Sequence, residues 1–496
     1  MSRLGKVIFG TSIMPQFPGL FKALSAGLLL LALLAAAAAA QPAPDSGRAA
    51  DTTGILPLLA ELDPVDTVPV PPAPFSKWIV PEVEILLSNG LIASYNIFIA
   101  QHDWARISGS SVRRNLISSW IWDYDQFYIN QFLHPYQGGL YYSAARSYGH
   151  GYYMSTAFTA MGSLQWEYLM ETEAPSYNDF ITTTLGGAMV GEISYRLANS
   201  VLDNNASGLE RFSRELLASA INPVLGFNRV LNGNAWSGPR RLRSPKPEKE
   251  SIVRLSTGTT LAYGSDAETE DHNPLRVPKA NTEMLVIYGD PYAATKPFDY
   301  FLLNMGLNVI RDPVATFSAR AQLYKWNLFR SGRGRGLLMV GQNFDYLNNG
   351  VYKLGTSSIG VGYSHRFEGA SGYYHTFHAQ AAGIAVGGVS TEFFREHSRD
   401  YNLGPGLFGT TRITVGKGFS WRAALVSDRY WLRTRSGAKG DEIIGVTMLE
   451  AYKHVHKGFG VLVSHSNYDR SARYRDYGTK QELSQETKAL VTLTLR

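Results

Sequence analysis

The chain of 496 residues is 45% apolar, 18% charged and 12% aromatic, with 28 Tyr and 48 Gly. Its net charge of +6 is scattered, which excludes the concentrated basic footprint of a nucleic-acid-binding surface. It contains no cysteine, which excludes disulfides, thiolate catalysis, Cys-bound zinc and a lipoprotein anchor.

Taken in order, residues 1–40 carry Arg3, Lys6 and Lys22 ahead of an apolar run from Ala23 to Ala40, followed by Gln41. A charged lead, an apolar core and small residues before a break is the pattern of an export signal; an uncleaved anchor is the alternative. Residues 41–76 form a Pro-rich linker that includes VPVPPAP at 68–74.

Residues 77–235 predict a helical domain. Helices are expected over 81–102, with Pro81 at the start, and over 110–130, with Ser110 or Ser111 as cap. Others are expected over 138–172, broken near Gly149–Gly151, and from the Ala174–Asn178 turn to about Leu202. The last spans 209–220, stopped by Asn222-Pro223. Small residues such as Gly186-Gly187-Ala188 permit close helix packing, and no stretch makes a clean membrane span. Residues 236–250 are a charged connector.

From 251 to 496 the period changes to two. Phe317, Ala319 and Ala321 alternate with Ser318, Arg320 and Gln322, and Ala489, Val491 and Leu493 alternate with Thr492 and Thr494. One apolar and one polar face per strand, with abundant Tyr and Gly, predicts an antiparallel transmembrane β-barrel of about twelve strands. The fold class is therefore α+β, a helical domain followed by an outer-membrane barrel of a Gram-negative envelope. The helical domain is expected in the periplasm beneath the barrel or within its lumen. The partners this implies are outer-membrane lipid and the barrel-assembly machinery, with no nucleic acid.

Glu167 and Glu171 lie four apart on one expected helix face, and Asp179 opens the next helix after a short turn. With His134 they could share a polar pocket suited to acid–base chemistry or to a hard metal ion. Tyr136, Gln137, Arg146, Ser176, Asn178, Glu192 and Arg196 are the candidate substrate-binding residues around it. The same positions also fit helix caps (Ser176 or Asn178) and a Glu192–Arg196 ion pair. No G-x-S-x-G, S-x-x-K, Walker, Rossmann or H-E-x-x-H pattern occurs, so neither a cofactor nor a dedicated metal site is expected.

DWARIS at 103–108, WDYDQF at 122–127, NQFLHPYQG at 130–138, SAARSYG at 143–149 and GSLQWEYLMETEAPSYNDFITTTLGG at 162–187 follow one another, closing with INP and FNR between 221 and 229. This series resembles a bacterial envelope family known as domain of unknown function 3943. The resemblance implies an exported protein with a C-terminal outer-membrane barrel and brings no catalytic residues. Two roles are open: a structural or transport barrel with a helical plug or periplasmic cap, or an envelope lipid- or glycolipid-modifying enzyme using His134 and the carboxylates.

Overall fold

The computed structural model describes residues 76–236, 251–264, 279–307, 314–348 and 353–495. The expected export signal lies outside the described residues. So do the Pro-rich linker and the charged connector, save Ser76 and Trp236 at their edges.

Among the described residues eight α-helices come first: α1 (Ser76–Phe98), α2 (Gly109–Ile117), α3 (His134–Ser147), α4 (Tyr152–Leu169), α5 (Tyr177–Ile181), α6 (Gly187–Val201), α7 (Gly208–Ile221) and α8 (Pro223–Leu231). Single π-turns, Ile129–Leu133 and Thr182–Gly186, lead into α3 and α6. Among the described residues no helix is long and apolar enough to cross a membrane.

Pro81 sits inside α1 rather than at its start. A proline there leaves the carbonyl four residues back without its helical donor. His150 Nε2 lies 2.8 Å from that oxygen, on Lys77, and completes the bond from α4's approach. The expected helix over 110–130 ends at Ile117. After it the chain runs extended, and Ile121 pairs with the turn before α5, its N–H donating to Pro175 O (2.9 Å). Asn222-Pro223, expected as a stop, also starts α8: Asn222 Oδ1 accepts the Leu225 N–H (2.9 Å), with proline at the first helical position.

Twelve strands then close into one antiparallel barrel, each paired with its chain neighbours and β1 with β12. They are β1 (Ser251–Gly264), β2 (Lys279–Tyr288), β3 (Phe301–Leu307), β4 (Val314–Arg330), β5 (Gly334–Asn348) and β6 (Lys353–Glu368). The rest are β7 (Tyr373–Ser390), β8 (Tyr401–Lys417), β9 (Trp421–Arg433), β10 (Gly440–His456), β11 (Phe459–Tyr474) and β12 (Gly478–Leu495). Closure pairs the strand-edge donors and acceptors that an open sheet would leave bare. Most strands exceed the ~9–11 residues needed to cross a bilayer.

Contacts across the barrel identify its inside. Arg320 on β4 reaches Asp428 on β9 (3.5 Å) and stands over the Phe408 ring of β8 (4.7 Å). The opposite register carries the apolar exterior: Val361, Leu407, Leu425, Leu449, Val463 and Val491 are all exposed.

One side of that exterior is covered. Phe301, Leu303, Phe317, Ala319 and Ala321 share a buried core with Tyr142, Ala188, Met189 and Ile193 of the helices. Gln342 Nε2 donates to Leu185 O (2.9 Å), and Phe127 stacks on Tyr346 at 5.6 Å. The helices thus pack against the outer face of β2–β5 and reach the ends of β6–β8. These contacts lie on the outward register, opposite the one that carries Arg320 and Asp428.

Candidate functional site

The expected residues that converge do so around the turn between α4 and α5. Glu167 lies in the last turn of α4, and Glu171 just beyond its end. Pro175 keeps Ala174 out of the helical conformation, and Ser176, in an extended conformation (φ −111°, ψ 132°), caps α5 by accepting the Asp179 N–H (3.3 Å). The Ser176 N–H donates to Glu167 Oε2 (2.7 Å), so this carboxyl pins the start of one helix to the end of the other.

Asn178 links the turn outward. Its Nδ2 donates to Asp179 Oδ1 (2.7 Å), and its Oδ1 accepts the Asp123 N–H (2.9 Å). His134, the first residue of α3, places Nε2 at 3.5 Å from Asp179 Oδ1. His134, Glu167, Asp179, Ser176 and Asn178 therefore meet, with Glu171 adjoining Glu167 and Asp179.

Sequence reasoning missed the rest of the cluster. Asp123 Oδ2 accepts the Asp125 N–H (2.7 Å) and Asn130 Nδ2 (2.9 Å), and Asn130 also donates to the Tyr401 hydroxyl on β8 (2.7 Å). Arg399, fully buried in the β7–β8 loop, donates Nη1 to Asp123 O (2.6 Å) and stands over the Tyr124 and Phe394 rings. Asp123 and Asp125 stood in the WDYDQF motif without being singled out. Tyr401 and Arg399 lie some 270 positions along the chain, where no local pattern connects them.

The other candidates sit elsewhere. Glu192 on α6 accepts Arg146 Nε (2.8 Å), Arg196 Nε (2.7 Å) and the Tyr142 hydroxyl (2.7 Å), a buried ion network separate from the acid cluster. Arg196 continues from it to Asp299 (3.4 Å) and Pro297 O (2.9 Å) before β3. Gln137 bonds the Tyr141 hydroxyl, which bonds Asn89 of α1. Tyr136 is half-buried, and burial pushes its phenol up. Among the described residues no group of three His, Asp or Glu side chains is arranged to hold a metal ion.

Burial sets the protonation of the cluster. It pushes Glu167 up to about 8 and holds Asp179 and Glu171 well above the carboxylate range, the neighbouring acids adding to the effect. Asp125 is pushed up to about 7 by burial and by Asp123. Burial pushes His134 down to about 4. A neutral imidazole thus faces a carboxyl biased towards its protonated form, a pair that can pass a proton or hold two chain segments together.

A pH dependence follows. Carboxyls raised in the folded chain hold protons that the unfolded chain releases above pH ~4, so their contribution is full below that value and is lost as pH rises through the folded values. His134, depressed, acts in the opposite sense between about pH 4 and 6.5, leaving the carboxyls alone above. From pH 6.5 to 8 the helical region is expected to lose about 2 kcal/mol for Glu167 alone. Helical circular-dichroism melts across that range check this: a falling midpoint flattened in Glu167→Gln is the expected result, and a flat wild-type midpoint contradicts it.

Residues 119–224 match the model of a family described as domain of unknown function (DUF3943). No curated protein matches the chain. Among solved structures, the outer membrane channel DcaP of Acinetobacter baumannii aligns at 7% identity over 49% of this chain and 96% of that one, with a TM-score of 0.25. The outer membrane protein Wzi of Escherichia coli aligns at 8% identity over 62% and 97%, with a TM-score of 0.17. Likeness at that level adds nothing to what the strand pairing establishes.

Proposed function

We propose that this protein is an outer-membrane barrel whose lumen is a closed-ended receptacle opening to the periplasm, with the helical region bracing the wall from outside. The observation that carries the reading is the unequal filling of the lumen. At one end Ile384, Phe408, Tyr430, Leu432, Ile444 and Tyr468 pack together, each no more than 6% exposed. Beyond them Glu442, fully buried, is held by Arg470 (2.9 Å), Asn402 (2.7 Å) and Tyr474 (3.0 Å). Beneath them lies a cavity of about 1450 Å³ lined by polar and apolar residues of all twelve strands, running from Arg335, Glu368 and Gly458 to Leu307, Ala315 and Leu347 on the β3–β5 side.

The open end carries the first residue of β1, the last of β12, and the short connections 331–333, 369–372, 418–420 and 457–458. Short turns belong to the periplasmic side of bacterial barrels, which supports the orientation. Val83, Leu87 and Leu91, four apart on α1, are exposed on a helical region seated against the apolar exterior, which favours contact with lipid.

The enzymatic alternative draws on the convergence around His134 and Asp179. Glu167 is occupied by the Ser176 N–H and Asp179 by Asn178, which favours a lock between segments over an acid–base pair awaiting substrate. Planar-bilayer recording of the full chain tests the receptacle: wild type is expected to give no steady conductance, and Phe408→Ala with Tyr430→Ala to open a leak. A stable wild-type pore contradicts the reading.

A further inference from the structure

The lumen's charges are mostly matched. Arg320 pairs with Asp345 (2.8 Å), Arg335 with Asp290 (3.3 Å), Arg366 with Glu368 (2.9 Å) and Lys488 with Glu283 (2.6 Å). Arg254 is different. It points inward from β1, is 7% exposed, and its Nε and Nη1 have no hydrogen-bond partner. Its guanidinium stands 4.1 Å over the Tyr452 ring, which supports the positive charge from one face and leaves the donors in the guanidinium plane free.

Its surroundings add further donors and one acid, Glu450, which Arg422 engages. Arg422 lies near the same ring at 5.9 Å, pairs with Glu450 through Nη2 and keeps a buried Nε without a partner. Ser256 and Thr494 line the same end of the cavity. Two guanidiniums share one carboxylate, Glu450, and the net buried positive charge that remains is costly unless something anionic meets it; paired guanidiniums with hydroxyls suit a tetrahedral oxyanion.

We propose that Arg254, with Arg422 and the Ser256 and Thr494 hydroxyls, binds the phosphoryl group of a phosphate-bearing envelope molecule entering the lumen from its open end. The inference rests on the receptacle reading for the route of entry. The cavity has room for more than the phosphoryl group, so the group is either the headgroup of a lipid or part of a soluble phosphoester.

Calorimetry on the full chain in detergent tests this with glycerol 3-phosphate and dihexanoyl-phosphatidylglycerol. Saturable binding is expected for at least one, weakened about tenfold or more in Arg254→Gln and partly kept in Arg254→Lys. Tighter binding of the lipid by tenfold assigns a headgroup; equal affinities assign a soluble phosphoester. Absence of binding by either probe, or affinity unchanged in Arg254→Gln, overturns the proposal. Should Arg254→Gln fail to assemble, phenylglyoxal labelling of wild type decides: protection of Arg254 by the probe supports the site, and unchanged labelling removes it. Conductance separates the two readings, since a conducting wild type that still binds phosphate defeats the receptacle alone.

Discussion

Replacing Gly138 with alanine is expected to destabilise the helical region by about 3 kcal/mol or more, although alanine is the better helix former. Gly138 on α3 and Gly187 on α6 face each other where the two helices cross. A Cβ on Gly138 would overlap the Thr183 carbonyl, and one on Gly187 would lie 2.6 Å from the Gly138 backbone. The obstacle is backbone in both directions, so no side chain can rotate away. Propensity alone predicts a gain of roughly 1 kcal/mol for glycine to alanine in a helix interior, so the sign of the change separates the two effects. Limited proteolysis and helical circular dichroism are expected to show loosened helices, while the barrel keeps its heat-modifiable migration on gels. Gly90, where an added Cβ would have nothing within 4 Å, is the control: Gly90→Ala is expected to be neutral or stabilising. If Gly138→Ala behaves like Gly90→Ala, the crossing is looser than the structure describes.

The barrel was legible in the sequence because a period of two leaves a trace at each strand and needs no long-range information. The trace is weakest where polar residues interrupt the alternation, as at the starts of β8 (Tyr401) and β12 (Gly478). What periodicity cannot report is what covers a face. Phe317, Ala319 and Ala321 alternate like lipid-facing residues, yet they are buried under helices encoded more than a hundred positions earlier. The helical region was less legible for local reasons. Pro81 is tolerated within α1 because His150 supplies the missing contact to Lys77, and Asn222-Pro223 is both an end and a beginning. The acid cluster was partly legible: four-residue spacing and a short turn bring Glu167, Glu171 and Asp179 together. Asp123 enters through an extended segment that reads as helix, and Tyr401 through the barrel.

Glu192→Ala is expected to cost about 3–5 kcal/mol, the range for leaving a buried ion without its partner. Glu192 is fully buried and its two oxygens receive Arg146, Arg196 and the Tyr142 hydroxyl. Its removal leaves two largely buried guanidiniums, and their remaining contacts are unequal. Arg196 keeps Asp299 (3.4 Å) and Pro297 O (2.9 Å), whereas Arg146 keeps His150 O (3.2 Å) and the Tyr195 ring (4.7 Å) but no acid. The penalty should therefore fall mainly on Arg146, and Glu192→Ala combined with Arg146→Met is expected to recover part of the loss that Glu192→Ala with Arg196→Met does not. Urea unfolding of the helical signal measures both. Because Arg196 ties α6 to the segment before β3, proteolytic opening at the helix–barrel contact should rise in any variant lacking Arg196, even where helical stability is regained. Recovery in the Arg146 pair with a closed contact, against an opened contact in the Arg196 pair, would assign Glu192 to holding two arginines and Arg196 to holding two parts of the molecule together. A loss below about 1 kcal/mol in Glu192→Ala would place the network among the weak surface pairs and remove both assignments.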